Sequence, residues 1–292
     1  MQNVTPVAIA ALVLELLPAA IFGCAAEQAA RTVQRWPAVV RIALPALFVI
    51  PYAMVSLAHG MFAWPWFFLY VSLPVATAWL LMHAAAADPQ QHGNWRDAFI
   101  LLVLGLAVDL RWFDSAWPPG LRALNELLLV DVGLYGFLAI RQLNGTGFDF
   151  HLRWSDWKTG LRELLFFTPI VIGLGLALGF LHPHRNLPGM FSALLRWVAI
   201  FFFTALPEEL FFRAWVQNLL ERRVGRQTAL IVASLLFGLS HFNKRSAHFN
   251  WRYVILATVA GIFYGRAWRE HRRVPASTVT HASVDWIWGL WF

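Results

Sequence analysis

Apolar segments close to twenty residues long recur along this 292-residue chain and leave few folds open to it. They fall at about 4–26, 38–58, 62–86, 98–112, 122–140, 163–182, 189–213, 227–243, 251–268 and 275–292. About twenty apolar residues in a helix span a bilayer, so the expectation is an all-α, polytopic transmembrane bundle of about eight to ten helices. The segments at 98–112, 227–243 and 275–292 are short for a full crossing. Tilt, a re-entrant path or extension by their flanks would accommodate them.

Charge supports the same class. Only 13% of the residues are charged and 59% are hydrophobic, whereas soluble domains carry about 25% charged residues. The net charge of +7 therefore relates to membrane orientation and anionic lipid, and no nucleic-acid partner is implied. Let residues 27–37 face the cytoplasm and each segment cross once. Most loop Lys and Arg then fall on that side, which places both termini outside. The expected location is multi-pass, in a bacterial inner membrane, with the lipid bilayer as a partner. Trp36, Trp64, Trp66, Trp95, Trp112, Trp117 and Trp251 stand near segment ends, as interfacial aromatic belts do. Cys24 is the only cysteine, which rules out an internal disulfide.

Three regions are expected. Residues 1–141 are N-terminal transmembrane helices of unassigned role. They contain Glu15, Arg41, Asp109, Glu126 and Asp131 within apolar runs. Each is a candidate for an ion path, but no spacing links them, and mutual pairing or snorkelling is the preferred reading. Residues 142–162 open on the turn cluster Asn144-Gly-Thr-Gly147. They then mix Trp and Leu with Arg and Lys, as an amphipathic segment lying in the interface does. Residues 163–292 carry the chemistry.

That chemistry begins at Pro207-Glu208-Glu209, which ends the uncharged run 197–206. An acid at the centre of a membrane helix costs about 3 kcal/mol by insertion scales, so such groups face a cavity, pair, or react. Glu209 and Arg213 are four apart and share a helix face, so they can pair. Glu208 is rotated by about 100°, lacks that partner, and is left free to work. The next outlier is His241, with Phe237 four residues before it to wall the imidazole. The turn between these helices lies near Val224-Gly225. Glu208 and His241 are almost equally far from it along the chain, so in an antiparallel hairpin they stand at equal heights. His281 and Asp285, four apart, share a face of the last helix.

Two chemistries suit this set. Glu208 can act as a general base on water, with the histidines stabilising an oxyanion or protonating a leaving amine. Alternatively, His241 and His281 with Asp285 or Glu208 can hold a divalent metal such as zinc that activates the water. The glutamate-based route, without a cofactor, is preferred, because no two histidines stand at close ligand spacing. Either route hydrolyses an amide.

Glu208-Glu209-x-x-x-Arg213, Phe237-x-x-x-His241 and His281-x-x-x-Asp285, in that order, resemble the CPBP family of intramembrane proteases. That family includes the type II CAAX prenyl endopeptidases and the bacteriocin-immunity (Abi) proteins. The resemblance covers about residues 163–292. It implies about eight transmembrane helices around a membrane-embedded cavity. It also implies catalysis by Glu208 assisted by His241, His281 and Asp285, with Glu209 and Arg213 as support. The sequence departs from the family at Asp285, where Asn is commoner. An acid there favours metal binding or pairing with a protonated His281 over the oxyanion-donor role usually given to Asn. The implied substrate is a peptide or protein cut at or within the bilayer. A binding or immunity protein holding a peptide at the same site is the alternative. A proton-coupled transporter is a third reading, and no repeat symmetry supports it.

Overall fold

The computed structural model describes residues 5–184, 188–246 and 248–292. Among the described residues there are ten helices and no strand. They are α1 Pro6–Gln34, α2 Ala38–Ala58, α3 Trp64–Ala87, α4 Trp95–Asp109, α5 Ala123–Ile140, α6 Trp154–Ala177, α7 Met190–Val224, α8 Arg226–Leu239, α9 Trp251–His271 and α10 Val274–Trp291. Helices α1, α2, α3, α5, α6 and α7 are long and apolar enough to cross a membrane, and the other four are shorter or less apolar. Such segments become helices because hydrocarbon offers no partner to a backbone N–H or C=O. The protein is therefore a multi-pass integral membrane protein with a polytopic helical fold. The chain divides into two compact units, one ending at Asn144 and the other running Gly145–Phe292.

In the N-terminal unit, helix starts follow local chemistry. The Thr5 hydroxyl accepts the Ala8 N–H at 3.1 Å, and Pro6 takes the first helical position. Helix α4 opens with a reciprocal cap in which Arg96 N–H donates to Asn94 Oδ1 and Asn94 N–H to Asp97 Oδ2, each at 2.9 Å. Arg141 is buried and binds Asp97 at 2.9 Å and Asp88 at 2.6 Å. Burial works against the Asp88 charge, but the His92 and Gly93 N–H groups and Arg141 outweigh it and hold this loop carboxyl below its usual pKa.

Trp117 departs from its expected interfacial place. It is a core residue, because its indole N–H donates to the Tyr70 hydroxyl at 2.7 Å, and that hydroxyl donates to Asn125 at 2.7 Å. Glu15 and Asp131 are each 3% exposed and close enough to interact electrostatically. Pairing is one of the two readings preferred from sequence, and Glu15 does not show it: no hydrogen bond reaches either of its oxygens among the described residues. Arg41 instead binds the Gln34 side chain.

In the C-terminal unit, residues 154–162 run without a break into the apolar stretch that follows, so the expected amphipathic segment is the first part of α6. Arg273 fixes the start of α10. It donates to Asp156 at 2.7 Å, Asp149 at 2.6 Å and the His151 carbonyl at 2.6 Å. Gly147 (φ 70°) accepts the Val274 N–H at 2.9 Å, and a Cβ there would collide with the Arg272 carbonyl. Glu163 is fully buried between Arg162 at 2.8 Å and Arg266 at 3.0 Å. Helices α8 and α9 meet closely: a Cβ on Gly261 would lie 3.0 Å from Ser234 Cα. Phe167, Phe212, Phe237, Phe263 and Tyr264 form the core between these helices.

Candidate active site

Helix α7 delivers two carboxylates to different places. Pro207 has no N–H to donate and its ring crowds the preceding turn. The helix widens to i→i+5 turns over Phe201–Ala205 and again over Leu210–Gln217, so the Glu208-Glu209 pair lies between two widened stretches. Glu209 is fully buried, and its two oxygens serve two partners. Oε2 accepts from Arg213 Nε at 2.9 Å, and Oε1 accepts from His281 Nδ1 at 3.0 Å. The Arg213 guanidinium lies over the rings of Phe237 at 5.2 Å and Tyr264 at 6.0 Å. Glu209 is thus more than the partner of Arg213 that the i,i+4 spacing suggested. It also fixes which His281 nitrogen is held, since a carboxylate only accepts.

The Glu208 side chain is 24% exposed, unlike that of Glu209. Its Oε2 stands 3.9 Å from His281 Nε2, and its Oε1 lies 3.4 Å from Lys244 Nζ. Glu208, which has no cation at helical spacing, takes one from outside the helices: Lys244 lies in the loop after α8, where helical periodicity carries no signal. The available signal was a lone Lys three residues beyond His241.

His241 arrives by a short helix. Gly225 (φ 79°) turns the chain between α7 and α8, a conformation that favours glycine. Helix α8 has 14 residues, or about 21 Å, which is less than the bilayer core of about 30 Å. His241 therefore sits just past the end of a short helix, within electrostatic reach of Glu208 and of His281 on α10. Its Nδ1 donates to the Phe237 carbonyl at 2.8 Å, leaving Nε2 as the exchangeable nitrogen. The ring packs against Phe237 at 4.9 Å and Tyr253 at 4.8 Å. His241, His281 and Lys244 all lie close enough to Glu208 to interact with it electrostatically.

On α10, His281 is 3% exposed and stacks on Tyr264, with centroids 4.5 Å apart. Its Nε2 lies 3.6 Å from Asp285 Oδ2. Beside this cluster lies a cavity of about 80 Å³. Its wall is mostly apolar (Phe167, Val171, Ala257 and Trp288 among others), and His241, His281 and Asp285 stand in it. Phe237 lines the same cavity and lies edge-on to His281 at 5.7 Å. Among the described residues, no three His, Cys, Asp or Glu side chains are gathered as ligands for one ion.

The fold and these residues define a class: a multi-pass helical membrane protein whose carboxylates and imidazoles meet among its helices. Within that class, residues 190–287 match the family model described as type II CAAX prenyl endopeptidase Rce1-like, a protease family. This is the family grouping that the three motifs resemble, and all seven motif residues from Glu208 to Asp285 lie inside the matched segment. No curated protein and no solved structure matches the chain.

Proposed function

We propose that the chain is an intramembrane endopeptidase in which Glu208 activates water. The observation that carries this reading is the approach of Glu208 to His281 at 3.9 Å, inside the segment that matches a protease family. Glu208 takes a proton from water, and the hydroxide adds to the peptide carbonyl carbon. The carbonyl π pair moves onto oxygen. Collapse of the adduct breaks the C–N bond, and the proton passes to the departing amine, so one water is consumed. His281 is oriented by Glu209 and Asp285, and His241 presents Nε2 towards the same reaction. The apolar cavity receives an apolar side chain or lipid chain of a substrate whose scissile bond lies at or in the bilayer of a bacterial cytoplasmic membrane.

The test compares peptide termini in membranes of cells producing the wild-type protein and the isosteric Glu208→Gln variant, by mass spectrometry. New termini should appear with the wild type and vanish with Glu208→Gln at equal protein level. Identical termini in both would leave a peptide-binding role as the better reading. Activity should survive dialysis against a chelator. Stoichiometric zinc whose removal abolishes cleavage would replace the glutamate mechanism with a metal one.

A further inference from the structure

We propose that Lys244 is the electrophilic residue of this site, the group that faces the oxyanion during peptide hydrolysis. This rests on the endopeptidase reading above. A tetrahedral adduct needs donors about 2.7–3.1 Å from its oxyanion, and the imidazole and carboxylate groups of the three motifs are already engaged. The Asp285 carboxylate accepts and does not donate. His281 gives Nδ1–H to Glu209, and its Nε2 faces two further carboxylates, Asp285 at 3.6 Å and Glu208 at 3.9 Å. His241 gives Nδ1–H to a backbone carbonyl. Lys244 is the cation that stands beside the general base, with Nζ 3.4 Å from Glu208 Oε1.

The loop holds Lys244 there by its backbone. Lys244 N–H donates to the His241 carbonyl at 3.2 Å, and Asn250 Nδ2 donates to the Lys244 carbonyl at 3.0 Å. Asn250 N–H closes the loop on the Phe242 carbonyl at 2.7 Å, and the next residue, Arg245, stacks over Trp288 at 4.3 Å. The backbone of Lys244 is therefore fixed relative to His241 and Asn250, and its four-carbon arm carries the ammonium to Glu208.

Charge movement supplies the rest. When Glu208 accepts the proton from water, its negative charge disappears and an equal charge forms on the carbonyl oxygen. A water in hydrogen-bond contact with Glu208 sits about 3 Å from it, so the adduct forms within reach of the same ammonium. Lys244 neutralises the carboxylate before the step and the oxyanion during it. This sequence then has a donor cation where the family pattern has an amide at the position of Asp285.

The experiment measures initial rates for an internally quenched peptide built around a Glu208-dependent cleavage site found by the terminus comparison. Lys244→Met should lower kcat by about a hundredfold, the usual effect of losing one oxyanion donor, with KM unchanged. Lys244→Arg, which keeps the charge and guards against a failure of the Met variant to fold, should keep at least a tenth of the wild-type kcat. Adding Asp285→Asn to Lys244→Met should restore kcat at least tenfold by returning an amide donor. An unchanged kcat in Lys244→Met, a change confined to KM, or no restoration by Asp285→Asn overturns the role of Lys244 and leaves the protease reading standing. If no terminus depends on Glu208, both fall together.

Discussion

The two units bury acids in opposite ways. In the C-terminal unit each fully buried carboxylate has an arginine: Asp156 with Arg273, Glu163 with Arg162 and Arg266, and Glu209 with Arg213. In the N-terminal unit Asp97 has Arg141, but Glu15 and Asp131 sit near each other, and no Lys or Arg pairs with either among the described residues. The contrast shows that burial alone does not say what an acid is for. Arginine counterions accompany Asp97 and the fully buried acids of the C-terminal unit, but not Glu15 or Asp131 among the described residues.

The sharpest way to break this contrast is Arg213→Ala. It leaves Glu209 buried without its cation, which costs on the order of 3–5 kcal/mol. Folded protein in the membrane and the melting temperature in detergent should both drop. A normal melt would show that the Glu209–Arg213 pair is not structural. Arg273→Met should cost about 1.5–3 kcal/mol, as expected for charge-assisted hydrogen bonds. It should also release the loop around Asp149 and His151 from Arg273, which protease nicking near residue 149 would reveal. Glu15→Gln and Asp131→Asn should move stability by no more than about 1 kcal/mol, or raise it, since the amide fills the same space and no counterion is orphaned by the change. A loss as large as that of Arg213→Ala would mean these acids hold their unit together.

The smallest effect concerns pH. Burial opposes the charge of Asp149, but the Arg273 hydrogen bonds prevail and hold its pKa below the ordinary 3.8. A depressed carboxylate contributes stability that is complete above its unfolded pKa and is lost as pH falls through the folded one. The melting difference between wild type and Asp149→Asn should therefore be constant near neutrality and shrink below about pH 3.8. A difference that grows on acidification would contradict the ion pair.

Much of this was legible in the sequence because it depends on local periodicity. Apolar runs gave the helices. Glu208 and His241, almost equally far from Gly225 along the chain, lie within electrostatic reach of each other, and four-residue spacings put Glu209 with Arg213 and His281 with Asp285. The contacts that escaped are the ones periodicity does not encode. The bond from His281 to Glu209 links residues 72 apart. Lys244 reaches Glu208 from a loop, where no repeat marks direction. Trp117 looked interfacial by position, and only its hydrogen bond to Tyr70 accounts for its burial. Helix α8 ends just before His241, and the cue for that end is an ordinary Ser240 whose hydroxyl donates to the Phe237 carbonyl at 2.8 Å.

The double duty of Glu209 limits what evolution or a designer can write at that position. Its two partners both donate, one to each oxygen. Glutamine has the length but turns one acceptor into an N–H, so one partner would meet donor with donor. Aspartate has both acceptors but is a methylene shorter and cannot span the two. Glu208, beside it, has no such pair of donors: Oε1 lies 3.4 Å from Lys244 Nζ, and Oε2 accepts no hydrogen bond among the described residues. The same glutamate-to-glutamine change therefore tests the proposed base at one position and a two-donor clamp at the other.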